Sequence, residues 1–177
     1  MLASKNNNKI KNSRVNLKRL HKDYGELLYS SEKNTKDNRV KDHYVVYDVL
    51  KDNEDSLFDF TIIIKGPKDT SYDGGFYQFK VHIDENSMYP FKPPKVTCLT
   101  KLFHPNVNSD GTICLDILGS SWSPVQNFIT LSESLSSFLS DPNPSDPLFT
   151  DAANLYLSNK DEYEEKVKEY TNKYAIL

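Results

Sequence analysis

LFDFTIIIKGPKDTSYDGGFYQFKVHID, residues 57–84, contains two apolar runs that are separated by a turn-forming segment. Every second residue is apolar in 58–64, and the same alternation recurs in 77–83. Side chains two residues apart share one face of a strand, so this pattern predicts two strands that each bury one face. The segment GPKDTSYDGG, residues 66–75, supplies the glycines and the proline of a tight connection between them.

Further strands are predicted on either side of this pair. YVVYDVL, residues 44–50, precedes it, and VTCLT, residues 96–100, follows the proline-rich segment YPFKPPK. Three or four strands in series with short links favour an antiparallel meander. Cys98 lies in the last predicted strand, where a small buried hydrophobic side chain is the simplest interpretation.

Helices are predicted before and after these strands. Residues 15–28 carry apolar side chains at steps of three and four residues, which is typical of an amphipathic helix. Asn127 suits the N-cap of a later helix, which must end at the three prolines of DPNPSDP, residues 141–147. A helix near 150–157 and a last helix after Asn159 complete a single α+β domain.

The length of 177 residues is sufficient for one domain with a sizeable core. The Asn- and Lys-rich residues 1–12 are too polar to fold alone and predict a flexible basic tail, which leaves 13–177 as the domain. Residues 30–43 predict a polar connector between the first helix and the sheet.

Composition also bears on the cellular compartment. No apolar run approaches the roughly 20 residues that cross a bilayer, so no membrane partner is expected. The first residues lack the apolar core of a secretory signal. Two cysteines do not make a disulfide framework, which favours a reducing compartment, the cytoplasm or the nucleus.

Charge is distributed unevenly along the chain. Residues 1–22 contain seven Lys or Arg and no acidic residue, whereas the whole chain has a net charge of −3. Such a segment is either a solvated helix face or a docking surface for an acidic protein. A nucleic-acid partner is disfavoured, because neither interleaved aromatic residues nor zinc-finger spacing accompany the basic residues.

The segment HPNVNSDGTICLDIL, residues 104–118, places Cys114 outside regular secondary structure. Asp110-Gly111 is a tight-turn signal, so we expect the chain to reverse there and to bring Cys114 close to Asn106. No partner residue with metal-ligand spacing accompanies Cys114, which disfavours a zinc site. The remaining interpretations are a thiol without a role and a nucleophile.

A cysteine protease would need a histidine base within hydrogen-bond reach of the thiol. The candidates are His21, His43, His82 and His104. No protease signature surrounds Cys114, which disfavours this class of enzyme.

Several segments, in their order and spacing, resemble the catalytic domain of ubiquitin-conjugating enzymes. They are LKRLHKD, GPKDTSYDGGFY, YPFKPPKV, HPNVNSDGTICLDIL, WSPV and DPNPSDPL, and the resemblance runs from about residue 17 to the C-terminus. The resemblance implies an α+β fold with an N-terminal helix, a four-stranded antiparallel meander sheet, a crossover helix and two C-terminal helices.

The resemblance also implies a chemistry for the cysteine loop. Ubiquitin would arrive from an activating enzyme as a thioester on Cys114 and leave to a lysine of a protein substrate, without a metal or organic cofactor. Asn106, in the His-Pro-Asn motif, would either contact the oxyanion or hold the loop in shape. Asp116 and Asp146 match family positions that orient or desolvate the incoming lysine, and His104 is expected to pack within the loop.

The resemblance further implies surfaces for the activating enzyme and for ubiquitin ligases of RING or HECT type. The matching residues of the first helix are Lys18, Arg19 and Lys22, and those of two later loops are Phe91, Ser123 and Pro124.

Two alternatives remain within the same fold, a carrier of another ubiquitin-like modifier and a non-catalytic ubiquitin-binding variant. The retention of Cys114, Asn106 and Asp146 together argues against the second. Glu133 departs from the family, in which several members have an apolar residue facing the donor ubiquitin.

Overall fold

The computed structural model describes residues 14–36, 45–53 and 56–177. These form helix α1 (Leu17–Lys36), strands β1 (Val46–Lys51), β2 (Asp59–Lys65), β3 (Phe76–His82) and β4 (Lys95–Cys98), and helices α2 (Phe128–Ser140), α3 (Thr150–Ser158) and α4 (Lys160–Tyr174). The predicted α+β architecture is therefore confirmed. The predicted basic tail, residues 1–12, and residues 37–43 of the connector lie outside the described residues. No helix in the described part of the chain is long and apolar enough to span a membrane.

The sheet is an antiparallel meander in the order β1-β2-β3-β4, as the short links between the apolar runs predicted. Strand β2 differs from its prediction, because Thr61 and Ile63 are buried as well as the alternating residues of its inner face. Both residues pair with β1 on one side and with β3 on the other. Both faces of this central strand are therefore covered, whereas simple alternation predicts one solvated face.

Aromatic side chains join the inner face of the sheet to the two long helices. The ring of Phe60, on β2, lies 5.1 Å from that of Tyr24 on α1 and 5.0 Å from that of Phe128 on α2, both edge to face. Phe60 and Phe128 are fully buried. Burying each phenylalanine stabilises the fold by about 1.5–3 kcal/mol, so this contact fixes where α2 crosses the sheet.

Helix α1 is longer than the sequence predicted, and this corrects the assignment of residues 30–43 as a connector. Residues 30–36 continue the helix to its end at Lys36. Ser30 and Ser31 are buried, and the hydroxyl of Ser31 donates to the carbonyl of Leu28 at 2.9 Å. Small hydroxyl side chains that bond the preceding turn can occupy a buried helix position without an apolar side chain, so the apolar pattern stops before the helix does.

The predicted N-cap at Asn127 is confirmed, and the last helix begins directly after Asn159 as predicted. Asn127 accepts a hydrogen bond from the Thr130 amide and forms a capping box at the start of α2. Asn159 accepts from the Glu162 amide at the start of α4. Between α2 and α3, residues 141–147 form a non-helical loop, and this loop borders the candidate site.

Candidate functional site

The chain reverses between Asn106 and Cys114, as the Asp110-Gly111 turn predicted. The amide of Cys114 donates to the carbonyl of Asn106 at 3.0 Å, and Val107 pairs with Ile113 in an isolated antiparallel bridge. The amide of Gly111 donates to the carbonyl of Asn108 at 3.0 Å, which closes the turn. The two residues that the sequence singled out are thus neighbours in space.

Gly111 is required at this turn for two independent reasons. Its φ of 82° lies in the region that favours glycine. A Cβ atom at this position would lie only 2.2 Å from the carbonyl oxygen of Cys98, and the Cys98 amide donates to the Gly111 carbonyl at 2.8 Å. The close approach ties the cysteine loop to β4 and hence to the rigid sheet.

The side chain of Asn106 is buried, with a relative exposure of 3%, and is engaged in hydrogen bonds to the loop 141–147. Its Nδ2 donates to the carbonyls of Asn143, at 2.8 Å, and Asp146, at 3.1 Å. Its Oδ1 accepts from the amide of Asn143 at 2.7 Å. The carboxamide therefore links the cysteine loop to the loop that carries Asp146.

His104 orients the backbone on which Asn106 lies. Its Nδ1 accepts from the amide of Asn106 at 3.0 Å, so its Nε2 carries the proton and donates to the carbonyl of Phe138 at 2.9 Å. Burial lowers the pKa of His104 to about 4, and the imidazole is neutral at physiological pH. Both ring nitrogens are occupied, which agrees with a packing role in the loop.

An open groove with a volume of about 660 Å³ runs beside Cys114, whose side chain is exposed. Asn106, Asp116 and Asp146 all line this groove. The described residues that line it include four carboxylates and no Lys, Arg or His. The four are Asp116, Glu133, Asp141 and Asp146. The groove is therefore suited to a cationic or amine-bearing group.

Local hydrogen bonds hold the backbone of Asp116 in place. It begins a single 3-10 turn, Asp116–Leu118, and its carbonyl accepts from the amides of Gly119, at 2.9 Å, and Ser121, at 3.1 Å. Its side chain remains exposed in the groove two residues after Cys114. The loop thus presents a thiol and a carboxylate on one short, hydrogen-bonded segment.

The two cysteines differ in environment. Cys98 is buried on β4, where its thiol donates to the carbonyl of Thr100 at 3.1 Å. Burial raises the pKa of the Cys98 thiol to about 12, so it stays protonated at physiological pH. Cys114 is the solvent-exposed thiol of the pair. In the described residues, no cluster of three or more His, Cys, Asp or Glu side chains could hold a metal ion.

Two neighbouring loops present apolar side chains to solvent. The first apolar loop contains YPFKPPK, residues 89–95, and its Phe91 is 68% exposed. The second apolar loop contains WSPV, residues 122–125, and its Val125 is 82% exposed beside Ser123 and Pro124. The indole Nε1–H of Trp122 donates to the carbonyl of Pro90 at 2.8 Å and joins the two loops. Sequence reasoning missed Val125, because a valine is usually buried and no local pattern indicates its exposure.

The three basic residues assigned to the first helix are not equivalent. Lys18 and Lys22 are exposed, and Lys22 lies 3.7 Å from Glu26 in an ion pair at the surface. The guanidinium of Arg19 instead points inward and contacts Asp23, whose side chain is 1% exposed, at 2.7 Å. Of these three residues, Lys18 and Lys22 present their positive charge to solvent.

Comparisons with known proteins agree with the architecture. A family model described as ubiquitin-conjugating enzyme matches residues 19–171. The solved structure of the E2 domain of a Toxoplasma gondii ubiquitin conjugating enzyme superposes with a TM-score of 0.71 at 29% sequence identity. That match covers 86% of this chain and 99% of the Toxoplasma chain.

Proposed function

This chain belongs to the ubiquitin-conjugating enzyme family, and we propose that it carries ubiquitin as a thioester on Cys114 and transfers it to lysines of protein substrates. One observation supports this most strongly. An exposed thiol is held by a turn against buried Asn106, at the side of an open acidic groove. A cysteine without a role would not need this anchored loop or the groove beside it.

The loading step is a thiol–thioester exchange. The Cys114 thiolate attacks the carbonyl carbon of ubiquitin that is bound through sulfur to an activating enzyme. A new carbon–sulfur bond forms, the old one breaks, and the activating enzyme's thiolate leaves. Because similar sulfur groups are exchanged, the step has little thermodynamic cost, and ATP is consumed only upstream by the activating enzyme.

The discharge step requires a neutral lysine amine. The amine attacks the thioester carbonyl, the oxyanion that forms then collapses, and the Cys114 thiolate leaves as an amide bond is made. The attacking nitrogen must lose a proton, and carboxylates close to the thioester can orient the ammonium and accept that proton. Asp116 and Asp146 line the groove beside Cys114 and are proposed for this role.

We assign Asn106 a positioning role in the same reaction. Its carboxamide makes three hydrogen bonds to the backbone of Asn143 and Asp146. A direct contact to the oxyanion would require Nδ2 to give up at least one of its two carbonyl partners. The observed bonds support the simpler alternative, in which Asn106 holds the loop that carries Asp146 beside the groove.

The activating enzyme and the ligases are proposed to share one surface. It comprises the exposed lysines of α1, Lys18 and Lys22, and the apolar side chains of the two loops, Phe91 and Val125 with Pro124. Positive charge increases the rate of encounter with acidic partners, and exposed apolar side chains supply the area that is buried on binding.

The experiment that tests the proposed function incubates the protein with ATP and matched pairs of activating enzyme and modifier. Ubiquitin and several ubiquitin-like modifiers are compared on non-reducing gels, and free lysine is then added. We expect an adduct with ubiquitin that disappears on addition of a thiol reductant and that discharges to lysine. An adduct formed only with another modifier would identify a different carrier, and none with any modifier would exclude the proposed function.

A further inference from the structure

The guanidinium of Arg19 makes hydrogen bonds in three directions. Its Nε contacts both carboxylate oxygens of Asp23 at 2.7 Å. Its Nη1 donates to the carbonyl of Pro124 at 2.7 Å, and its Nη2 donates to the carbonyl of Gln126 at 2.6 Å. Arginine's planar fork can satisfy three separate acceptors in fixed directions, which a lysine ammonium on a flexible stem cannot reproduce.

Asp23 extends this network from α1 to the first apolar loop. Its carboxylate also accepts from the hydroxyl of Tyr89, and both side chains are almost fully buried. The next residue after Tyr89 is Pro90, whose carbonyl accepts the indole Nε1–H of Trp122 at 2.8 Å. Tyr89 also stacks on Phe128 at the start of α2, with ring centroids 5.6 Å apart.

The contacts form a closed circuit around the base of the two apolar loops. Arg19 holds the second loop by its backbone, Asp23 and Tyr89 hold the first, and Trp122 connects the loops to each other. The loops present Phe91 and Val125 at their tips. Every contact of the circuit is made within this chain, so none needs a bound partner to form.

We propose that Arg19, Asp23 and Tyr89 form a bracket that sets the spacing of the loops carrying Phe91 and Val125. Arg19 is thus a positioning residue for partner binding, whereas Lys18 and Lys22 contact the partner by charge. The part of this inference that concerns partners rests on the proposed function. The bracket itself rests only on contacts within the chain.

The chain offers a direct spectroscopic probe of the bracket, because Trp122 is its single tryptophan. The indole N–H gives one unambiguous signal in a ¹H–¹⁵N NMR spectrum. Arg19→Lys retains the positive charge but loses the planar guanidinium. Tyr89→Phe removes only the hydroxyl that donates a hydrogen bond to Asp23. We expect the signal to shift in both variants and to stay in place in Arg14→Lys, a matched control at an exposed position.

The functional readout is the KM with which an activating enzyme loads each variant with ubiquitin. Misplaced loops weaken binding without changing the chemistry, so we expect KM to rise by about tenfold for Arg19→Lys with kcat retained. The rise should be similar at low and high salt, because the charge is preserved. Removing charge with Lys22→Gln should instead have an effect that shrinks as salt is added.

The outcomes separate the bracket from the proposed function. An unmoved Trp122 signal in both Arg19→Lys and Tyr89→Phe would overturn the bracket, and a wild-type KM for Arg19→Lys would overturn its role in partner binding. Failure of the wild-type protein to form any thioester would instead overturn the proposed function, and the NMR comparison would still decide the bracket. If Arg19→Lys does not fold, Tyr89→Phe alone carries the test.

Discussion

Replacing Asn106 by alanine is expected to loosen the loop 141–147 and to destabilise the protein. The substitution removes the three hydrogen bonds that the carboxamide makes with Asn143 and Asp146. Each such bond contributes about 0.5–1.5 kcal/mol net, and the freed backbone groups regain some water because the loop is at the surface. A loss of about 2–3 kcal/mol follows, which lowers Tm by about 5–10 °C for a chain of this size.

The effect on activity follows from the position of Asp146 on that loop. Loading and discharge should both slow in Asn106→Ala, because the groove beside Cys114 loses its defined shape. A direct oxyanion contact predicts a different pattern. Removing one oxyanion donor costs on the order of 10²–10³ in rate, which would fall on discharge while stability and loading stayed near normal.

Single-turnover discharge to free lysine, measured beside loading rate and a melting curve, distinguishes these patterns. Asn108→Ala is the matched control, since Asn108 is exposed in the same loop and its Oδ1 accepts only a local bond from Ser109. It should behave like the wild type in all three measurements. A normal Tm for Asn106→Ala together with a selective loss of discharge would refute the positioning role.

Three further predictions concern stability and charge. Burial lowers the pKa of His104 to about 4 from about 6.5 when unfolded, so the unfolded chain binds the extra proton first. His104 should therefore remove up to about 3 kcal/mol of stability as pH falls from 6.5 to 4, and urea denaturation of His104→Gln should show a shallower dependence. Gly74→Ala meets open space at a φ of 81° and should cost about 1–2 kcal/mol, whereas Gly111→Ala also meets backbone and should cost at least roughly twice as much. Equal melting temperatures for the two variants would contradict the close approach. Reversing Lys18 and Lys22 to glutamate should slow loading most at low salt. If the effect on the loading rate does not depend on salt, the two lysines only form a solvated helix face and do not attract the activating enzyme.

Local pattern was sufficient to predict which helices and strands this fold contains, and it predicted one contact of the site. Alternating apolar residues predicted the two central strands, because side-chain direction in a strand depends only on position. The Asp110-Gly111 turn predicted that Cys114 lies near Asn106, since a tight reversal fixes which neighbours face each other.

Contacts between distant segments could not be predicted in this way. The carboxamide of Asn106 bonds residues 37 and 40 positions further along the chain, and Arg19 bonds the carbonyl of Pro124 at a separation of 105 residues. A sequence shows which groups can donate and accept but not which backbone carbonyls packing brings to them. For the same reason Lys18, Arg19 and Lys22 appeared alike, although Arg19 turns inward and the two lysines are exposed.

The end of α1 illustrates a second limit of pattern. Residues 30–36 lack apolar side chains, yet they are helical, and the buried serines at 30 and 31 carry no hydrophobic signal. The burial of Ile63 is a similar case, because the alternating pattern of β2 itself does not show that its second face is covered.

The central claim is that Cys114 alone carries the thioester, and its most direct test compares the two cysteines. The wild type, Cys114→Ala and Cys98→Ala are each incubated with an activating enzyme, ATP and ubiquitin, and the products are separated with and without a thiol reductant. We expect a reductant-sensitive adduct on the wild type and on Cys98→Ala, and none on Cys114→Ala, since Cys98 is buried and its thiol stays protonated. A reductant-sensitive adduct that persists on Cys114→Ala would contradict the claim.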